Sequence, residues 1–167
     1  MSTRLPTRPP KFDHAGAPRF AIVASEYNPE FVQALINNTC NELYRLDERC
    51  VIELFSAPGA FEIPVVAEMV AALGKHDVIV ALGLVLQGKT KHADLVATSV
   101  CHGLQTVALK HVVPVVNEVL LVASGQEARD RCIGKELNRG VEAARAAFAV
   151  LRTKTQLQTS ASRRAAK

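Results

Sequence analysis

The chain is expected to fold as an α/β protein, a three-layer α/β/α sandwich around a four-stranded parallel sheet, with an extra arm at its N-terminus. Three observations predict this. Four short aliphatic runs, F-A-I-V-A-S (20–25), V-I-E-L-F-S (51–56), D-V-I-V-A-L-G (77–83) and V-P-V-V-N-E-V-L-L-V (113–122), have the character of buried strands. Each is separated from the next by enough residues for a helix, which a parallel crossover requires. Hydrophobic residues make up 49% of the 167, with no Trp and 5% aromatics, so one domain can bury an aliphatic core of its own.

The elements follow in order. M-S-T-R-L-P-T-R-P-P-K carries three prolines and reads as an extended arm, so residues 1–18 are expected to be a flexible Pro-rich segment ahead of a domain at 19–152. After the first strand, Asn28-Pro29-Glu30 supplies a helix cap, a proline at the first helical position and a first-turn acid. Val32, Leu35, Ile36, Thr39, Leu43 and Leu46 then recur at helical spacing. Pro58-Gly59 breaks the second strand, and a helix starting around Glu62 to Pro64 places Ile63, Val66, Ala67 and Val70 on one face. A long helix after Gly88 carries Leu95, Val96, Val100, Leu104 and Val107. Beyond the fourth strand, Ser124 and Glu127 form a capping-box pattern. A helix around Arg129 breaks near Gly134 to Asn138, and a last one carries Val141, Ala144, Phe148 and Leu151. Residues 153–167 are expected to be a flexible basic tail.

Charge belongs to the ends. Arg4, Arg8 and Lys11 at the N-terminus, and Arg152, Lys154, Arg163, Arg164 and Lys167 at the C-terminus, have no acid among them. Removing these eight from 20 bases leaves 12 against 16 acids, so the +4 of the whole chain conceals a body at −4. Nucleic-acid binding through such tails ranks last among the functions considered. Cys40, Cys50, Cys101 and Cys132 show no metal-ligand spacing and read as free thiols in a reducing cytoplasm. No apolar run is long enough for a membrane span, and the N-terminus lacks the apolar stretch of a secretory signal.

Ligands of open parallel sheets bind outside the carboxyl ends of the strands. Three strand ends fall there: Ser25-Glu26-Tyr27, Ser56 through Glu62, and Leu84 through His92. Gly88-Lys89-Thr90 is expected to open a helix, where free N–H groups favour an anion, with His92 in the same first turn as a proton donor or acceptor. G-L-V-L-Q-G-K-T (83–90) also matches the phosphate-loop pattern. Leu84, Val85 and Leu86 look instead like strand continuing towards Gly88, so a phosphate is the better expectation than a nucleotide.

Tyr27-Asn28, P-G-A-F-E-I-P (58–64) and G-K-T-K-H (88–92) together resemble the lumazine synthase family, and the likeness runs from about Phe20 to Leu151. R-C-I-G-K-E-L-N-R-G (131–140) resembles the family's Arg-Ala-Gly segment leading to Asn-Lys-Gly or Asn-Arg-Gly. The resemblance implies a flavodoxin-like fold and condensation of 5-amino-6-(D-ribitylamino)uracil with 3,4-dihydroxy-2-butanone 4-phosphate, giving 6,7-dimethyl-8-ribityllumazine, phosphate and water. It implies no metal and no organic cofactor. His92 would transfer the proton. Gly88, Lys89 and Thr90 would hold the phosphate with Arg131 from a neighbouring subunit. Tyr27 would stack on the pyrimidine ring, while Gly59, Ala60, Phe61 and Glu62 would line the ribityl site. Leu84, Val85 and Leu86 would offer backbone contacts to the ring, with Lys135 and Asn117 at further site positions. Taken singly, Tyr27 also reads as a helix-staple aromatic, Phe61 as ordinary packing, Glu62 as a first-turn acid, and Arg131 and Lys135 as a solvated helix end.

Four positions depart from the family. Gln87 stands where many members have Arg or Lys, Lys89 where a small or acidic residue is frequent, and Asn117-Glu118 where Phe-Gly is typical. The resemblance further implies a homo-oligomer, a pentamer or an assembly of pentamers, with riboflavin synthase as a further partner. Pro9 and Pro10, which cannot donate to a sheet ladder, and I-G-K-E-L at 133–137 favour a pentamer or a pair of pentamers over a sixty-subunit shell. The competing readings are a non-catalytic riboflavin- or lumazine-binding or shell-forming relative and, more remotely, a phosphate-loop NTPase.

Overall fold

A computed structural model describes residues 5–12 and 14–165; the first four residues of the expected arm and the last two of the expected tail lie outside it. Four strands, β1 (Arg19–Ser25), β2 (Val51–Ala57), β3 (Val78–Leu86) and β4 (Val115–Val122), form one parallel sheet in the order β2-β1-β3-β4. The helices are α1 (Pro29–Leu46), α2 (Ile63–Ala72), α3 (His92–His111), α4 (Gly125–Cys132) and α5 (Arg139–Ala165), with a 3-10 turn at Ala60–Glu62. The expected three-layer sandwich is what the chain forms.

Alternation along the strands divides the core. Phe20, Ile22, Val80 and Leu82 face α1, α4 and α5, where they meet Leu35, Leu43, Phe148 and Leu151. Val23, Ile79 and Ala81 face α2 and α3 and meet Ile63, Leu104 and Val107. The central strands β1 and β3 are apolar on both faces, which accounts for their unbroken hydrophobic runs. Helices approach closely where a side chain is missing. A Cβ on Gly103 would lie 2.8 Å from Pro64, and one on Gly140 would lie 2.6 Å from the Leu35 carbonyl.

The two ends depart from expectation. The described part of the arm is packed down: Phe12 meets Phe148 edge-on with ring centroids 5.3 Å apart, and Arg8 Nε donates to Glu42 Oε1 at 3.2 Å. Glu42 also accepts from Arg145 Nε at 2.8 Å, and Arg145 donates to the Pro6 carbonyl. Burial alone would push the Glu42 carboxyl up, but hydrogen bonds and charge from Arg145 and Arg8 outweigh it and hold the group below its ordinary value. At the other end, α5 continues to Ala165 through most of the expected tail. No Gly or Pro follows Gly140, and the hydroxyls of Thr153, Thr155, Thr159, Ser160 and Ser162 donate to carbonyls one turn back, so none of these side chains competes for a non-helical backbone.

Candidate active site

The chain leaves β1 for β2 on one side and returns through β3 to β4 on the other, so the sheet has its switch point between β1 and β3. There, at the carboxyl ends, lies a cleft of about 490 Å³. Tyr27 and Asn28 enter it from the end of β1, and Gly59, Ala60, Phe61 and Glu62 from the turn after β2. Leu84, Val85 and Leu86 form its floor from β3, and Gly88, Thr90 and His92 its far side. Tyr27 is 71% exposed at the mouth. Gly59 lies close to both functional side chains: a Cβ there would stand 2.9 Å from Glu62 Oε2, at the free end of that side chain, and 3.6 Å from the Tyr27 ring.

The loop before α3 differs from expectation. Gly88, Lys89 and Thr90 do not open the helix; α3 starts at His92 with Lys91 as its cap. Thr90 Oγ1 accepts from the His92 N–H at 3.4 Å, so the hydroxyl steadies the turn that carries the imidazole while its own proton remains available to a ligand. Leu84, Val85 and Leu86 pair in register with Leu120, Leu121 and Val122 of β4. Backbone committed to a ladder cannot wrap a nucleotide's phosphates, and this overturns the phosphate-loop reading. Asn28 departs too: its side chain makes no cap hydrogen bond to α1. Ala93 and Val96, which the sequence reading did not assign to the site, also line the cleft. Val96 stands one turn on from His92 and three residues from Ala93, a helical spacing that was present in the sequence.

Four expected site residues lie outside the cleft of their own chain: Lys89, Asn117, Arg131 and Lys135. Lys89 is exposed on the loop. Arg131, at the end of α4, donates through Nε to Glu127 Oε1 at 2.8 Å, and Lys135 is exposed three residues beyond the helix. Asn117, exposed on the edge strand β4, donates to Cys101 Sγ at 3.2 Å and accepts from the Val119 N–H at 3.0 Å.

The sequence pattern of 6,7-dimethyl-8-ribityllumazine synthase matches residues 17–155. The chain belongs to the 6,7-dimethyl-8-ribityllumazine synthase family. Relatives named 6,7-dimethyl-8-ribityllumazine synthase include one from Xylella fastidiosa (strain M12), 39% identical over 80% of this chain and 87% of the relative. Another, from Nitratidesulfovibrio vulgaris (strain DP4), is 38% identical over 83% of this chain and 90% of the relative. A third, from Chlorobium phaeobacteroides, is 37% identical over 75% and 82%.

Within this lumazine synthase scaffold, Glu118 creates an electrostatic feature on β4. It shares a face of β4 with the core residues Leu120 and Val122, towards α4 and α5. Burial pushes its carboxyl up to about 7, aided by the Glu142 carboxylate and opposed by Arg139 and Arg131. Burial, and after it the Glu118 charge, drives the Cys132 thiol up to about 12.

Proposed function

We infer that the protein condenses 5-amino-6-(D-ribitylamino)uracil with 3,4-dihydroxy-2-butanone 4-phosphate to give 6,7-dimethyl-8-ribityllumazine, phosphate and water, the lumazine-forming step of riboflavin biosynthesis, and that it does so in the cleft at the switch point. The observation that supports this site most is convergence. Segments separated along the chain bring the aromatic, the carboxylate, the glycine-threonine loop and the histidine to one hollow.

The chemistry follows from the placement. Tyr27 offers a ring face to the pyrimidine, and Glu62 accepts hydrogen bonds from ribityl hydroxyls beside Ala60 and Phe61. On its β1 side, where strand pairing ends at Leu82, the backbone of the Leu84–Leu86 segment supplies polar contacts to the pyrimidine edge. Gly88 and Thr90, with Lys89 on the same loop, hold the phosphate. The amine attacks the ketone to form an imine, phosphate is eliminated, and ring closure completes the heterocycle, with His92 moving protons. Holding two substrates in register and transferring protons in place is the catalytic contribution.

Three of the four residues outside the cleft, Arg131, Lys135 and Asn117, fit a homo-oligomer in which they serve a neighbour's site. Val65 and Met69 of α2 and Leu73 at its C-cap form an exposed apolar stripe, at 51%, 63% and 52% exposure, and supply a surface for such assembly. A pentamer or a pair of pentamers is the arrangement we favour, in the cytoplasm, where four free thiols persist. Riboflavin synthase is the partner expected to take up the product.

The test is turnover: lumazine fluorescence and phosphate release followed together, for the protein and for His92→Ala. Both products should form well above the spontaneous rate, with kcat about 10²- to 10⁴-fold lower in the variant. A folded oligomer that binds lumazine without accelerating its formation would make the protein a non-catalytic binding relative.

A further inference from the structure

We propose that Asn28 is the positioning residue of the cleft: its amide, donated across the switch point to the Leu84 carbonyl, sets how far the Tyr27 ring stands from the end of β3 and thereby governs affinity for the pyrimidine substrate. The inference rests on the assignment of the cleft made above.

The paired register between β1 and β3 ends at Ala24 and Leu82. Beyond it the sheet divides. The Glu26 N–H donates to Ala57 on the β2 side, and the Gln87 N–H donates to Val122 on the β4 side. The cleft opens between these two halves. Asn28 Nδ2 reaches over the opening to the Leu84 carbonyl at 2.9 Å, 56 residues away in sequence. The side chain thus stands where the next rung of a β1–β3 ladder would be.

Two further observations show that Asn28 is shaped for this bond. It holds φ 57, ψ 53, a left-handed conformation that Asn tolerates better than most residues other than Gly. It also stands at the N-cap of α1, where an Asn side chain ordinarily turns back to the helix N–H groups; here none is capped by it. Its carbonyl still accepts from Phe31 and Val32, so the helix start is secured by backbone while the amide is directed to Leu84. Tyr27 precedes it directly. Tilting the left-handed turn would swing that ring relative to Leu84, Val85 and Leu86, which line the same cleft.

Asn28→Gly retains the conformation and removes the amide; Asn28→Asp retains the shape and sets a carboxylate oxygen against the Leu84 carbonyl. The KM for the ribitylaminouracil should rise about 2- to 10-fold in Asn28→Gly, the range of one neutral hydrogen bond, and further in Asn28→Asp. The KM for the butanone phosphate should stay within about twofold, because its phosphate is held by the loop after β3. Fluorescence titration of the intact oligomer with 6,7-dimethyl-8-ribityllumazine should show the same order of weakening in Kd. Unchanged pyrimidine KM and lumazine Kd in both variants would overturn the proposal. So would an equal rise of both KM values accompanied by a falling Tm, the mark of a merely structural residue. The titration separates this proposal from the assignment of activity: a wild type that binds lumazine without turnover defeats the latter, and Asn28 is then judged on Kd alone.

Discussion

Replacing Glu118 by glutamine should flatten part of the pH dependence of stability. Below pH 4.5 the carboxyl is neutral in the folded and the unfolded chain alike, so it favours neither. Between 4.5 and about 7 the unfolded chain has released the proton while the folded chain keeps it, because burial and Glu142 oppose the charge. The folded state then binds more protons, and stability falls as pH rises. Above about 7 the ionised carboxylate is present in both states and the whole penalty is in force. Raising a carboxyl from 4.5 to about 7 corresponds to about 3 kcal/mol. Glu118 is only half-buried, which makes that an upper limit. Glutamine keeps the shape and hydrogen-bonding capacity without the charge. Unfolding midpoints for the two proteins, taken from pH 4 to 8.5 at one protomer concentration, should coincide at the acid end. They should diverge to about 1 to 3 kcal/mol in favour of Glu118→Gln at the alkaline end, a gain of roughly 2 to 12 °C in Tm for a chain of this size. Parallel profiles across the range would refute the reasoning, since histidines and surface carboxylates titrate identically in both.

Glu42 should behave in the opposite sense. Its side chain is 1% exposed between Arg145 and Arg8, so Glu42→Ala leaves guanidinium charge uncompensated and should cost about 3 kcal/mol in denaturant unfolding; a cost near zero would show that the arm is not anchored there. Gly140→Ala should destabilise by about 1 to 3 kcal/mol, because the new Cβ meets the Leu35 carbonyl, a backbone atom that cannot swing aside; an unchanged unfolding midpoint would mean that α1 and α5 part freely. Thiol labelling of the native protein should reach exposed Cys101 first, while Cys50 and Cys132, each pushed to about 12 principally by burial, stay unmodified until the protein unfolds. Mass spectrometry of peptides at early times checks that order.

The local rules acted on short windows and were legible there. Unbroken aliphatic runs marked β1 and β3 because both strands are covered on both faces, and the 3.6-residue rhythm marked α1 because one stripe of it is buried. The cleft residues followed, since parallel strands present their carboxyl ends at one edge and the residues just beyond each strand must gather there. Composition misled at the tail: an acid-free basic stretch suggested a loose end, while the absence of Gly and Pro allowed a helix to Ala165.

What the sequence by itself determined, then, was the order of strands and helices, the faces they bury and the segments that form the cleft, because each depends on the period of a few neighbouring side chains. Tertiary structure decided the rest. It drew Arg8 and Arg145 to a carboxylate that lies 34 and 103 residues from them, took the Asn28 amide from its own helix to the end of β3, and kept Arg131 and Asn117 out of their own chain's cleft. It also set the proton affinity of Glu118. Hydrogen bonds across the fold and the loss of water around a charge depend on distances in space, and no window along the chain contains them.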